Sequence, residues 1–226
     1  MQEDLFDDRR VAPSILSADF AGLADQVRTV MDAGARIVHV DVMDGHFVPP
    51  ITIGPLVLGA IADQIHEAGG AADVHLMIER PERHVEEFAR AGADSITVHY
   101  EATPHVHYAL KTVREAGCRA GLAINIATPP EVTRELADAV DMVLCMTINP
   151  GWGGQELVQT SYDKLRRLRA IVPATIPIEV DGGIDVDTAP LCAEAGASIF
   201  VAGSHVFGSE DPAAAYRALA GAVQAA

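Results

Sequence analysis

Basic residues are scarce in this chain of 226: 16 Lys and Arg stand against 32 Asp and Glu, a formal net charge of −16. Such a surface excludes a sequence-independent grip on nucleic acid or anionic lipid, because both need clustered cations to displace counterions. An anionic small substrate stays open, provided its site is built from backbone dipoles or a metal ion against the global field. Aromatic residues make up only 5%, and cysteines number three, Cys118, Cys145 and Cys192. Their odd number, wide separation and lack of a C-x-x-C spacing argue for buried, reduced thiols. No apolar run approaches the ~18 residues that a membrane span needs. The first ten residues carry Glu3, Asp4, Asp7 and Asp8. That is the reverse of a signal peptide's basic start, so residues 1–10 read as an acidic solvated tail and the location as cytoplasmic.

What the chain has in abundance is alternation. Short apolar, β-branched runs occur at Val11–Leu16, Arg36–Asp41, Ala72–Met77, Ser95–His99, Arg119–Ile124, Met142–Met146, Ile176–Val180 and Ser198–Val201. Most are apolar at successive positions, as in parallel strands covered on both faces. Stretches of helical period separate them, among them Leu23–Asp32, Pro81–Arg90, Pro104–Ala116, Val158–Ile171 and Asp211–Val223. Three Ala-Gly-Ala triplets, centred on Gly34, Gly92 and Gly196, end helices just before a strand, where glycine accepts a left-handed backbone at little cost. Eight such units average about 28 residues, near the lower size of a (β/α)8 barrel. With no linker or break in composition, the expectation is a single α/β domain, a (β/α)8 TIM barrel over 11–226. The rival, a doubly wound open sheet binding a dinucleotide, would carry G-x-G-x-x-G after its first strand. Here that strand ends Pro13-Ser14-Ile15-Leu16-Ser17.

In a barrel, chemistry comes from the C-terminal ends of the strands. The second strand reads Ile37-Val38-His39-Val40-Asp41-Val42-Met43. Strand side chains alternate, so His39, Asp41 and Met43 share one face if the valines pack against the helices. By the same rule His75 and Met77 share a face of the third strand, and Asp181 ends the seventh. His39, Asp41, His75 and Asp181 are therefore four metal-competent groups at three strand ends, although Asp181 taken alone reads equally as a turn-forming residue before Gly182-Gly183. Two imidazoles and two carboxylates suit one divalent ion per subunit, Zn²⁺ first, with Fe²⁺, Mn²⁺ or Co²⁺ as alternatives. Met43, Met77 and Met146 read either as ordinary core or as a soft, dry wall beside that ion. The other histidines read as surface or packing residues, a reading that His99, at a strand end, fits least well.

Glycines cluster after the last strands: Gly151-Trp152-Gly153-Gly154 after the sixth, Gly182-Gly183 after the seventh, Gly203-Ser204 after the eighth. Such turns can aim backbone N–H groups at an anion, and barrels often hold phosphate there. No lysine is needed, which suits an acidic protein.

Several stretches, in one order, resemble the ribulose-phosphate 3-epimerase family: Ala12 to Asp19, His39 to Pro49, His75-Leu76-Met77, Asn149 to Gln155 and Val180 to Ile184. The resemblance runs from about Val11 to Phe207. It implies a metal-dependent isomerase interconverting D-ribulose 5-phosphate and D-xylulose 5-phosphate through an enediolate. It further implies His39, Asp41, His75 and Asp181 as metal ligands, and Asp41 and Asp181 as the acid/base pair. Ser14, His75, Asp181 and the three methionines would meet substrate, and Gly151, Trp152, Gly153, Gly154, Gly182, Gly183, Gly203 and Ser204 the phosphate end. A homo-oligomer, with no nucleic-acid or membrane partner, is the implied assembly. Trp152 departs from the family's usual Phe, a change that bears on substrate preference and keeps open a 3-epimerase of another ketose phosphate, such as allulose 6-phosphate. A decarboxylase or synthase on this barrel would be expected to carry Asp-x-Lys-x-x-Asp, and the second strand has no lysine. The alternative of another class is a sugar-phosphate-binding barrel without catalysis.

Overall fold

The computed structural model describes Leu5, Phe6 and residues 8–226. Eight strands and the segments between them alternate along the chain: β1 Arg10–Pro13, α1 Leu23–Asp32, β2 Ile37–Met43, α2 Pro55–Glu67, β3 Ala71–Met77, α3 Val85–Arg90, β4 Ser95–His99, α4 Val106–Glu115, β5 Arg119–Ile124, β6 Met142–Met146, α5 Ser161–Ile171, β7 Ile178–Asp181, α6 Thr188–Glu194, β8 Ile199–Ala202, α7 Ser204–Phe207 and α8 Pro212–Ala225. A 3₁₀ stretch, Pro130–Ala139, takes the place of a helix between β5 and β6. The strands form one parallel sheet in the order β1-β8-β7-β6-β5-β4-β3-β2. A parallel bridge from Ser14 to His39 brings its two ends together. The result is a (β/α)8 barrel.

Alternation along each strand divides two cores. Outward residues such as Val38, Val40, Val42, Val74 and Leu76 join the sheath packed against the helices. The bottom of the barrel is filled by Ala12, Ile37, Ala71, Met142, Ile199 and Val201. Phe6 packs onto that layer at 4% exposure, so the tail expected to be solvated is not uniformly so. The Phe6 ring buries apolar surface against that layer, a favourable exchange with water. Glu3, Asp4 and Asp7 lie outside the described residues, and Asp8 is exposed, 3.1 Å from Arg10.

Several boundaries move, for local reasons. The first strand stops at Pro13 because the Ser14 hydroxyl accepts from the Leu16 N–H and opens a 3₁₀ turn over Ile15–Ser17. The helix expected over Pro81–Arg90 is split into a 3₁₀ turn, Pro81–Arg83, and α3. The segment expected to be helical from Val158 starts at Ser161, because the Val158 N–H is tied back to the Thr147 carbonyl at 2.9 Å. Gly34, Gly92 and Gly196 all adopt positive φ, as their helix-ending role requires.

Candidate active site

The upper half of the barrel interior is polar where the lower half is apolar. On β2 and β3 the inward positions Asp41 and His75 are neighbours in register, one strand apart. Asp181 ends β7 on the same rim. His39 lies one layer deeper than Asp41 and is fully buried. One ligand atom from each of His39, Asp41, His75 and Asp181 lies within 4.8 Å of the other three. Asp41 Oδ1 is 3.3 Å from His39 Nε2 and 3.1 Å from His75 Nδ1, and His75 Nδ1 is 3.6 Å from Asp181 Oδ2. Ligand arms of about 2.1 Å in a tetrahedron set donors about 3.4 Å apart, so these separations suit a small divalent ion. His39 Nε2 is the telling atom: it is buried and makes no hydrogen bond, although its ring is anchored from behind through Nδ1 to Asp73 Oδ2 at 2.7 Å. Such an anchor fixes the tautomer and presents the free nitrogen to a metal. The cluster can hold a metal ion.

The electrostatics divide the two carboxylates. Burial opposes charge on Asp41, but His39 and His75 hold its carboxyl well below the usual range. Its Oδ2 also accepts from the Ser14 hydroxyl at 2.6 Å. Asp181 is shifted the other way, raised by burial and then by the charge of Asp41. Burial works against charged imidazoles here, yet Asp41 first among the carboxylates lifts His39 well above its ordinary value. Asp181 and Asp41 likewise lift His75 to about 9. A cation at this point competes with those protons, because a ligating imidazole must be neutral. The site thus holds one carboxylate that stays ionised and a second that retains its proton more readily, an arrangement suited to paired base and acid catalysis.

Above these groups opens a cavity whose wall includes Met43, Met77 and Met146, each at most 3% exposed. Ser14, Asp41 and Asp181 also line it, while His39 and His75 sit behind the carboxylates rather than on its surface. The three glycine-bearing turns meet on its far side: Gly151, Trp152, Gly153 and Gly154; Gly182 and Gly183; and Gly203 with Ser204. The turn after β7 is tightly built. Gly183 has φ +66°, and a Cβ there would lie 2.5 Å from the Leu157 backbone nitrogen. Thr147 donates to the carbonyls of Asp181 and Gly182, tying the turn after β6 to the turn after β7. Trp152 is 54% exposed at the mouth. The cysteines are free and buried, as expected, and none lines the cavity.

Sequence reasoning assigned no role to five polar residues that support this site, although it had set His99 apart from the other histidines. Asp73 and Glu179 flank His39 from within the barrel, and Glu179 is pushed up to about 8, by burial first and then by Asp73. Their signal was present: each lies two residues before a ligand, and so on the same strand face. His99 is fully buried beside His75, and Glu101 accepts from it at 3.2 Å. Ser17 also lines the cavity, next to Gly203 and Gly153.

Comparison with known proteins gives the site its family. The family model described as the ribulose-phosphate 3 epimerase family matches residues 10–207. A ribulose-phosphate 3-epimerase of Bacillus subtilis (strain 168) is 47% identical over 206 residues, covering 89% of this chain and 94% of its own length. The protein of that name from Escherichia coli (strain K12) is 45% identical over 204 residues, covering 89% of this chain and 90% of its own. Among solved structures, the 3-hexulose-6-phosphate synthase of Salmonella typhimurium superposes with a TM-score of 0.73 at 18% identity, over 96% of this chain and 99% of that one. The KGPDC of Streptococcus mutans gives 0.74 at 16% identity, over 96% of this chain and 98% of that one. At such identities these two speak for the barrel alone. The family match and the two epimerase relatives cover nearly the whole barrel, and on them this chain belongs to the ribulose-phosphate 3-epimerase family.

Proposed function

We propose that this chain interconverts D-ribulose 5-phosphate and D-xylulose 5-phosphate by moving a proton at carbon 3. The observation that carries the reading is a pair of carboxylates of opposite protonation preference, Asp41 and Asp181, lining one cavity whose other end is closed by three glycine turns. Inverting carbon 3 requires removing a proton α to the carbonyl and returning one to the opposite face. An ionised Asp41 is placed to take the proton and a protonated Asp181 to supply one; for the other epimer the roles exchange. The Ser14 hydrogen bond holds the Asp41 carboxylate in one orientation. Methionine side chains keep the reacting carbons dry without offering a competing acid. The glycine turns grip the phosphate, so that the skeleton stays fixed while the proton moves.

His39, Asp41, His75 and Asp181 would hold one divalent ion, Zn²⁺ first and Fe²⁺, Mn²⁺ or Co²⁺ as alternatives. When bound, such an ion supplies Lewis-acid polarisation of the substrate carbonyl and stabilises enediolate charge. Residues 11–226 form one catalytic unit, working as a homo-oligomer in the cytoplasm.

Turnover of ribulose 5-phosphate in deuterated water tests it. Deuterium appears at carbon 3 of the xylulose 5-phosphate formed, and product free of solvent label would overturn the mechanism. Trp152, half-exposed at the mouth, favours a second reading within the class: a 3-epimerase of a six-carbon ketose phosphate such as allulose 6-phosphate. Comparing kcat/KM on the five- and six-carbon substrates separates the two.

A further inference from the structure

We propose that His99 and Glu101 are positioning residues that fix which nitrogen of His75 carries its proton, and so aim the other at the metal site. The inference rests on the reading of His75 as a metal ligand. His99 ends β4, the strand next to β3, and faces the barrel interior. Its Nε2 lies 2.8 Å from His75 Nε2. Two imidazole nitrogens at that distance share one hydrogen, so one ring donates and the other accepts.

Glu101 decides the direction. Its Oε2 is 3.2 Å from His99 Nδ1, and a carboxylate only accepts, so the His99 hydrogen sits on Nδ1. The neutral His99 ring then offers a bare Nε2, and the shared hydrogen belongs to His75 Nε2. That leaves His75 Nδ1 bare, and Nδ1 is the atom 3.1 Å from Asp41 Oδ1 and 3.6 Å from Asp181 Oδ2. Glu101 cannot turn around. Its Oε1 accepts from the Asn125 backbone N–H at 2.9 Å and from the Thr128 hydroxyl. A backbone N–H never reverses its role. Phe47 covers His99 from outside, ring centroids 4.7 Å apart, which keeps water from breaking into the link. The relay is thus a carboxylate–imidazole–imidazole chain ending at the cation site, one link longer than the direct Asp73 contact to His39.

The geometry makes Glu101→Gln a reversing substitution. The amide oxygen stays with the Asn125 N–H, and the NH₂ group is turned toward His99. His99 must then accept at Nδ1 and donate from Nε2, which drives the His75 hydrogen onto Nδ1. Long-range ¹H–¹⁵N spectra of the ¹⁵N-histidine-labelled, zinc-loaded full chain read these tautomers directly. The expected wild-type pattern is hydrogen on Nδ1 of His99 and on Nε2 of His75. Zinc affinity, measured by competition with a chelating dye, falls about 10- to 100-fold in Glu101→Gln. It is unchanged in Thr128→Val, which leaves the carboxylate and the Asn125 bond in place. Melting temperatures of both variants separate a lost ligand from a lost fold. Unchanged zinc affinity in a folded Glu101→Gln overturns the relay. Should that variant not fold, the wild-type spectrum still decides, since hydrogen on Nε2 of His99 overturns the relay by itself. Wild-type protein that bound no zinc, cobalt, manganese or iron would instead overturn the metal reading, and the role of the relay with it.

Discussion

Asp41 is the side chain on which most constraints converge. One oxygen faces both imidazoles and the other accepts from Ser14, so every lone pair that matters is already directed. Asp41→Asn and Asp181→Asn should each lower kcat by about 10²–10⁴ or more, the range of acid/base contributions. Circular dichroism checks that each variant keeps its helices, and near-normal kcat in either removes that residue from the acid/base pair. Ser14→Ala leaves the carboxylate but frees it to rotate. A hydrogen bond to a charged group is worth about 1.5–3 kcal/mol, so kcat/KM should drop roughly ten- to a hundredfold, a loss milder than that of either Asn variant. The buried His99 makes a separate claim about pH. Burial first, with the charge of His75, lowers it to about 4 from 6.5. A group depressed on folding contributes stability that is present above its unfolded value and lost as pH falls toward the folded one. His99→Asn has no such group, so the Tm advantage of wild type over His99→Asn should shrink between pH 7 and pH 4. A constant difference across that interval would contradict the shift.

At the scale of strands and turns, period two makes much of the site legible. The spacing His39-x-Asp41-x-Met43 states which side chains share a face, and the structure sends the intervening valines to the helix side. Depth is what the pattern leaves out. Nothing in Asp73-x-His75 or Glu179-x-Asp181 says that the first member lies a layer lower, buried against His39. His99 stood out as an ill-fitting packing residue, but its partner was hidden for the same reason. One histidine at a strand end looks like packing until the register of β3 and β4 sets it beside His75. Helix starts slipped where a tertiary bond competed with local propensity, as at Val158. The turns yield a sharper expectation. A Cβ at Gly183 would strike the Leu157 main chain at 2.5 Å, whereas at Gly154, φ +76°, it meets nothing within 4 Å. Gly154→Ala bears only the left-handed backbone cost of about 1–2 kcal/mol, or about 2–8 °C in Tm for a chain this size. Gly183→Ala bears that cost and must also shift the turn carrying the backbone N–H groups. Its Tm should fall further, and KM for the sugar phosphate should rise by a larger factor than kcat falls. Equal Tm losses in the two variants would mean that the Gly183 turn yields without strain.

The whole molecule sets a problem that its site must solve locally. A net charge of −16 surrounds a cavity proposed to receive a phosphate carrying nearly two negative charges at neutral pH. Approaching from solution, substrate meets repulsion from the summed surface charge before it feels the turns. The two fields have different reach. Repulsion between exposed charges extends over a Debye length of about 30 Å at 0.01 M salt and contracts to about 8 Å at 0.15 M. The attraction acts at hydrogen-bond distance, where counterions intervene little. Added sodium chloride should therefore weaken the long-range repulsion more than the short-range grip. Over that interval kcat/KM on ribulose 5-phosphate should rise, through a falling KM, while kcat stays flat because the proton transfer occurs in a dry interior. A kcat/KM that fell with salt would mean that a locally positive field dominates the approach. Steering by local cations would then have to outweigh the net charge, although neither Lys nor Arg is among the residues lining the cavity.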